Sequence, residues 1–207
     1  MGLAIKLDKI AVFSLALFPA GYLVWLIIGQ QLGPDPAKEV VLFLATWALN
    51  FLWITLALSP IKLILKKSFV IRYRRMLGLF SLFYAVLHVL AYLAFMLAWQ
   101  WNDLLQDLVK RPYIVVGFIA LVGLIALGVT SPKVMVRRLG KSWKKLHNII
   151  YVIAVLVMVH FFWLSRTDVG EPVMYSFILA GLLFVRWFYW GNNWLYQLFF
   201  SPSSKAK

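Results

Sequence analysis

Apolar residues occur along this chain in six long runs, and the short segments between them carry nearly all of the charges. A run of about 20 apolar residues is long enough to cross the hydrocarbon core of a bilayer as a helix. Strands are excluded, because an open strand in lipid leaves its backbone without hydrogen-bond partners. The predicted spans cover residues 10–28, 40–61, 77–99, 113–130, 146–164 and 173–190. The pattern therefore predicts an all-α integral membrane bundle of six transmembrane helices, forming a single domain over residues 1–207.

The first apolar run is predicted to be a retained span rather than a cleaved leader. Residues 10–28 are longer than the roughly 7–15 residues of the apolar region in a secretory signal peptide. The connections between the runs are short, so we expect no soluble domain before, between or after the spans.

Composition supports a membrane protein. Hydrophobic residues make up 63% of the chain and charged residues only 14%, whereas a soluble domain carries roughly 25% charged residues. The net charge of +14 would suggest nucleic acid binding in a soluble chain. Here the basic residues lie between apolar runs, where membrane topology and lipid headgroups account for them. We therefore expect contact with the lipid bilayer and none with nucleic acid. The absence of cysteine excludes disulfides, iron–sulfur clusters and thiolate chemistry.

The distribution of Lys and Arg predicts the orientation of the bundle. The second and fourth connections hold many more of these residues than the first, third and fifth, and cytoplasmic loops are the ones enriched in them. Both termini and the two basic connections are therefore predicted to be cytoplasmic. The basic residues of these two connections are Lys62, Lys66, Lys67, Arg72, Arg74 and Arg75 in one, and Lys133, Arg137, Arg138, Lys141, Lys144 and Lys145 in the other.

The histidines are the main candidates for chemistry inside the membrane. His88 and His160 lie within the third and fifth spans, 13 residues past Arg75 and 15 residues past Lys145. At 1.5 Å per residue, these positions are roughly 20 and 22 Å along their helices. Two imidazoles at similar depth on helices that run in the same direction can hold a heme iron between them. His88 and His160 are therefore predicted to be axial heme ligands. The alternative is that each histidine only hydrogen-bonds a neighbouring helix.

His147, the third histidine, lies nearer the cytoplasmic end, two residues past Lys145. One interpretation is a second iron ligand, for which Met76 is the available partner. The other is a contact with a heme propionate or a flavin phosphate. On an ideal helix His147 and His160 are roughly 220° apart, so either a bend or separate directions of approach would be needed. A zinc site is disfavoured, because the acidic residues lie in loops far from His88.

Arginines at both ends of the bundle are candidates for binding anionic groups. Arg75 belongs to a basic cluster at the cytoplasmic end that can attract an acidic reductase, lipid headgroups or a flavin phosphate. At the outer end, Arg111 and Arg166 can bind heme propionates bidentately. The alternative is that these arginines only reflect the orientation of the bundle in the membrane, or anchor helix ends in lipid headgroups. The members of the cytoplasmic cluster are Arg72, Arg74, Arg75, Lys141, Lys144 and Lys145.

Four segments carry a resemblance to a known family. They are "GPDPAKEV" (33–40), "RYRRMLGLFSLFYAVLHVLAY" (72–92), "KRPYIVVGFIAL" (110–121) and "LGKSWKKLHNIIYVIAVLVMVHFFW" (139–163). The chain resembles the MsrQ (YedZ) family, within the ferric-reductase-like transmembrane group, over nearly its whole length. The resemblance implies heme ligation by His88, His147 and His160. The wider group has four histidines in two pairs, so the resemblance implies one heme b and leaves a second open.

The same resemblance implies a function. A protein of this kind lies in the bacterial inner membrane and passes electrons to a periplasmic, molybdenum-containing methionine sulfoxide reductase subunit, which repairs oxidised proteins. It takes electrons from the quinone pool or from a cytosolic flavin reductase, and FMN is a further implied cofactor.

Missing motifs agree with an electron-transfer subunit that has no catalytic residues of its own. The sequence has no G-x-G-x-x-G and no P-loop, and the tail after the last span is too short for a nicotinamide or flavin domain. Electrons from a pyridine nucleotide would then have to arrive through another protein. Two alternatives stay open. One is a self-contained transmembrane ferric or quinone reductase. The other is a small His-dependent transporter, which would need broken helices and polar groups near the midplane.

Overall fold

The computed structural model describes residues 2–165 and 168–200, and the regular structure in these ranges is entirely helical. A 3-10 turn at Ser68–Tyr73 precedes the third helix and a π-helical turn at Tyr92–Met96 follows it. The α-helices are α1 (Gly2–Ile28), α2 (Pro36–Leu65), α3 (Arg74–Ala91), α4 (Trp101–Lys110), α5 (Pro112–Val129), α6 (Lys133–Leu139), α7 (Lys141–His147), α8 (Ile150–Leu164) and α9 (Gly170–Phe200).

Among the described residues, six helical segments are long and apolar enough to cross a membrane, which confirms the predicted fold class. Large apolar side chains lie on their outer surfaces, as lipid contact requires, and Ile28 and Phe177 are 77% and 75% exposed. The cytoplasmic placement of the termini stays a prediction. The segments are Leu7–Ile28, Pro36–Leu65, Phe69–Met96, Pro112–Val129, Lys141–Leu164 and Gly170–Phe188.

The limits of all six spans differ from the predicted ones by up to eight residues, and the third and fifth spans differ most. The third was predicted over residues 77–99, but it begins at Phe69 and ends at Met96. Ala98 and Trp99 have φ of +45° and +60°, so the chain turns out of the helix there although both residues are apolar. The fifth span, predicted over residues 146–164, is interrupted between α7 and α8. Hydrophobicity reports burial in lipid and does not detect either change of backbone direction.

Two predicted loops also contain helices. The third connection holds α4, and the fourth holds α6. Polar residues of α4 such as Asp107 face the protein, whereas Trp101 and Val109 are 61% and 85% exposed. An amphipathic helix this short is easily taken for a polar loop, because its apolar residues do not form a continuous run.

The interior consists of two apolar clusters that hold the helices in register. One joins α1, α2 and α3 around Phe51, Phe80 and Tyr84, and the other joins α2, α5, α8 and α9. Tyr84 is fully buried, and its hydroxyl bridges two backbone groups of α1. It donates to the Ala16 carbonyl at 2.8 Å and accepts from the Ala20 amide at 3.1 Å. The hydroxyl thereby satisfies the backbone beside Pro19, where the helix ladder of α1 is broken.

Candidate functional site

His88 is fixed by the backbone of the neighbouring helix. Its Nδ1 lies 2.9 Å from the carbonyl oxygen of Val41 on α2. A carbonyl can only accept, so Nδ1 carries the proton and donates it. In a neutral imidazole this leaves the lone pair on Nε2, which is the atom that can bind a metal.

His160 is fixed in the same way on the other side of the bundle. Its Nδ1 lies 2.6 Å from the carbonyl oxygen of Tyr113 on α5. Gly117, one turn further along α5, makes this approach possible, because a Cβ there would lie 2.8 Å from Nδ1 of His160. Nε2 of His160 is again the atom with the available lone pair.

The two histidines form a pair. Each is bonded to a carbonyl 47 positions earlier in the chain, so α2 with α3 and α5 with α8 repeat one arrangement. His88 and His160 are close enough to interact electrostatically. Within the described residues, no set of three or more His, Cys, Asp or Glu side chains is placed to hold a metal ion. The geometry therefore offers two imidazole nitrogens, which fits axial coordination of a heme iron.

A polar network of Tyr92, Asp107 and Arg111, which we call the outer network, joins the two histidine-bearing regions at the end of the bundle opposite the basic connections. Tyr92, four residues after His88, donates its hydroxyl to Asp107 on α4. Asp107 also forms an ion pair with Arg111, with 3.2 Å between Oδ1 and Nε. Arg111 immediately precedes α5, the helix that supplies the carbonyl to His160. Sequence reasoning named Arg111 as a propionate ligand and missed these contacts. Nothing in the sequence indicates that the side chains of Tyr92 and Asp107, 15 positions apart, meet.

His147 lies in a different environment and is held by its other nitrogen. Its ring stacks on Trp143 with 4.0 Å between ring centroids, and its Nε2 lies 3.1 Å from Oγ1 of Thr130. The Thr130 hydroxyl donates to the Ala126 carbonyl at 2.7 Å, so it accepts from Nε2–H of His147. This favours the tautomer opposite to that of His88 and His160.

His147 lines a cleft of about 640 Å³ at the end of the bundle that carries the basic connections. Five cationic side chains from four helices line the same cleft, and we call it the basic cleft. None of the described residues lining it is Asp or Glu. The cationic residues are Lys62, Arg74, Arg75, Lys144 and Arg186.

The structure thus sorts the predicted site residues into three places. His88 and His160 form the pair, Arg75 and His147 line the basic cleft, and Arg111 belongs to the outer network. Arg166 lies outside the described residues. Of the predicted basic cluster, Arg74, Arg75 and Lys144 line the cleft, whereas Arg72 is paired with Asp8 at 3.0 Å. Sequence reasoning missed Lys62, Arg186 and Thr55, because these cleft residues lie on helices distant in the chain.

Comparison with known proteins gives a consistent result. Residues 41–158 match the family described as "Ferric reductase like transmembrane component". The protein-methionine-sulfoxide reductase heme-binding subunit MsrQ of Xanthomonas euvesicatoria is 42% identical over 181 residues, covering 84% of this chain and 83% of the relative. The subunit of the same name from Herminiimonas arsenicoxydans is 42% identical over 188 residues, covering 89% and 86%.

Proposed function

Because this chain belongs to the ferric reductase-like transmembrane family, and within it to the MsrQ heme-binding subunits, we propose that it binds heme b and carries electrons across the membrane. The observation that carries the proposal is the His88–His160 pair. Each Nδ1 donates to a carbonyl of a neighbouring helix, so both Nε2 atoms are available for iron. The family membership also confirms the resemblance drawn from the sequence.

The pair meets the requirements of an axial ligand set. A metal-binding His usually donates its other ring N–H to an oxygen, which fixes the ring and makes the ligating nitrogen more basic. Val41 and Tyr113 supply these oxygens from helix backbones, which are rigid supports. When bound, heme supplies reversible one-electron chemistry. The chain has no cysteine to attach it covalently, which supports a b-type heme.

Around the pair, the protein fixes the positions of the two imidazole rings and keeps water away from them. His88 and His160 lie on helices packed through apolar clusters. The Tyr92–Asp107–Arg111 network holds the outer ends of α3, α4 and α5 together beside the pair.

The route of the electrons follows from the orientation and from the names of the relatives. We expect entry at the basic end, from the quinone pool or from a cytosolic flavin reductase. The acceptor we propose is the periplasmic, molybdenum-containing catalytic subunit of a methionine sulfoxide reductase in the bacterial inner membrane. The relatives are named as heme-binding subunits of a protein-methionine-sulfoxide reductase, and this supports the assignment.

His147 does not share the features of the pair. A second heme there would need another axial ligand. The two remaining histidines are those of the pair, and Met76 packs against the cluster of α1, α2 and α3 and does not line the cleft with His147. We propose one heme between His88 and His160. His147 is not an iron ligand in this proposal and lines the basic cleft.

Sealed vesicles of known orientation test the direction of flow. The heme is reduced first, and a periplasmic methionine sulfoxide reductase with its substrate is then supplied on one face only. We expect reoxidation when the enzyme is at the face opposite the basic connections, and none when it is confined to the basic face. Equal reoxidation by ferric citrate or a quinone without the partner would favour the self-contained reductase instead. Reoxidation only from the basic face would contradict the proposed direction.

A further inference from the structure

We propose that α4 is a membrane-surface helix, which lays its side chains of Trp101, Leu105 and Val109 among the lipids at the end of the bundle opposite the basic connections. α4 is not one of the six segments that are long and apolar enough to cross a membrane, so its contact with lipid does not follow from the fold class. The inference goes beyond the proposed function and does not rest on the heme assignment.

The backbone holds α4 at the level where two spans end. Ala98 and Trp99, with φ of +45° and +60°, turn the chain out of the third span, and α4 begins at Trp101. α4 ends at Lys110, and Pro112 begins α5, the fourth span. At 1.5 Å per residue, its 10 residues extend about 15 Å, half of the roughly 30 Å hydrocarbon core. α4 is therefore a short helix between two spans, at one surface of the membrane.

One edge of α4 is fixed to the protein. Asp107 accepts a hydrogen bond from the hydroxyl of Tyr92 and pairs with Arg111 at 3.2 Å between Oδ1 and Nε. Leu104 and Leu108, on the same side of the helix, are partly buried. Rotation of α4 about its axis would break these contacts. The directions in which its other side chains point are therefore set by the fold.

The next edge of α4 is apolar and uncovered, and we call it the apolar edge. Trp101, Leu105 and Val109 are 61%, 62% and 85% exposed. At about 100° per residue, these three side chains span an arc of about 80° around the helix. Contact between water and a row of large apolar side chains is unfavourable, and such a row on a native protein marks a contact surface. The apolar edge therefore requires a cover.

The remaining edge of α4 is polar, and we call it the polar edge. Asn102, Gln106 and Lys110 are exposed and span the following arc of about 80°. Nζ of Lys110 donates to Oε1 of Gln106 at 3.0 Å along this edge. The order around the helix axis is therefore protein, apolar edge, polar edge. A helix that lies flat at the surface of a bilayer has this order, with its apolar side chains toward the acyl chains and its polar side chains toward water.

The surface directly before α4 identifies lipid as the cover. Phe95 and Met96, at the end of the third span, and Trp99 are all exposed. Apolar side chains on the outer surface of a span face lipid. Trp101 continues this surface onto α4, and Trp is enriched where the acyl chains meet the headgroups. If a partner protein were the cover, the apolar edge would lie in water whenever that partner was absent.

The absence of cysteine from the chain permits a direct test. In the full-length protein, Leu105→Cys and Val109→Cys each place one thiol on the apolar edge. Asn102→Cys and Gln106→Cys are the matched controls on the polar edge. Each variant is reconstituted at one chain per disc in phosphatidylcholine nanodiscs. A charged, membrane-impermeant thiol reagent is then added, and mass spectrometry follows the rate of modification.

The two edges should differ clearly in reactivity. The thiolate is the reactive form and apolar surroundings disfavour it, so both apolar-edge variants should react about tenfold or more slowly than both controls. In guanidinium chloride all four variants should react at one rate, and far-ultraviolet circular dichroism of each variant in nanodiscs reports whether it is folded. Bimane attached to the same thiols provides a second measurement. A nitroxide on the lipid acyl chain should quench it more strongly in Leu105→Cys, and aqueous iodide should quench it more strongly in Gln106→Cys.

Three results would overturn the proposal. Equal rates on the two edges in single-chain nanodiscs would place the apolar edge in water. Protection that appears only when two copies share a disc would make a second copy of the chain the cover. Protection that appears only after a methionine sulfoxide reductase catalytic subunit is added would make that partner the cover. None of these results depends on heme binding, so each leaves the proposed function unaffected.

Discussion

The His88–His160 pair and the basic cleft are parts of one helical bundle, yet they hold imidazoles in opposite ways. In the pair, Nδ1 is bonded to a backbone carbonyl and Nε2 is available. In the cleft, Nε2 of His147 is bonded to the Thr130 hydroxyl and the ring is stacked on Trp143. The hydrogen-bond partner, and not the residue type, decides which nitrogen can meet a metal.

The two regions also differ in charge. Apolar helix faces surround the pair, and the groups that orient it are backbone carbonyls. Cationic side chains line the cleft, and no described acidic residue lies among them. The two imidazoles of the pair and the cationic side chains of the cleft are therefore kept apart within one short chain.

The largest expected effect is on heme content. His88→Ala or His160→Ala removes one of two axial ligands, and each should leave less than about a tenth of the low-spin heme bound, since single metal-site losses commonly cost 10–100-fold in affinity. The measurement is the heme-to-protein ratio after purification. His147→Ala is the matched control and should retain nearly the full ratio. A control that lost heme as severely as the pair variants would erase the distinction between the two regions.

Gly117→Ala should disturb the pair without removing a ligand. The new Cβ would lie 2.8 Å from Nδ1 of His160, so the ring must move off the Tyr113 carbonyl. Loss of such an orienting bond typically costs 10–100-fold in metal-site affinity or activity, so heme retention in a competition with apomyoglobin should fall by about tenfold or more. At Gly181 an added Cβ meets no atom within 4 Å. Gly181→Ala should therefore behave as wild type, and equal retention by both variants would contradict the role of Gly117.

Asp107→Asn should weaken the outer network while leaving the pair in place. The substitution keeps the shape but removes the charge that binds Tyr92 and Arg111. A hydrogen bond to a charged group is worth about 1.5–3 kcal/mol, and part of it survives with the amide, so we expect a loss of about 1–2 kcal/mol in the free energy of unfolding. Thermal unfolding followed by heme absorbance measures it. Asp103, on the same helix, forms no ion pair within the described residues, so Asp103→Asn is the control. A larger loss from the control would refute the network.

The smallest effect contrasts two threonines at the basic end. Thr55→Val removes an unsatisfied hydroxyl, so the free energy of unfolding should stay within about 0.5 kcal/mol or rise. Thr130→Val removes the acceptor of His147 and should cost about 1 kcal/mol. The measurement is the free energy of unfolding of each purified variant relative to the wild-type protein. A clear loss of stability in Thr55→Val would show that its hydroxyl already has a partner.

Much of the fold could be predicted from the sequence, because span length and hydrophobicity are local properties. The similar depth of His88 and His160 followed from helix rise alone, and the structure adds that each ring is bonded to a carbonyl 47 positions earlier in the chain. The sequence also indicated that His147 and His160 either require a bend or face different directions, and in the structure His147 lines the basic cleft whereas His160 does not.

The rest depended on contacts that carry no sequence pattern. The carbonyls of Val41 and Tyr113 orient the pair, and any residue type has a carbonyl. Gly117 resembles other helical glycines until the ring of His160 is placed against it. The isolation of Thr55 is a property of its surroundings, so only the assembled cleft reveals it.

The central claim is that His88 and His160 together ligate one heme iron. Low-temperature electron paramagnetic resonance, combined with near-infrared magnetic circular dichroism of the oxidised full-length protein, identifies the axial ligands directly. We predict a bis-imidazole, low-spin ferric spectrum at one heme per chain, unchanged in His147→Ala. A His–Met spectrum, a five-coordinate iron, or a bis-imidazole spectrum that persists when His88 and His160 are both replaced by Ala would contradict the account.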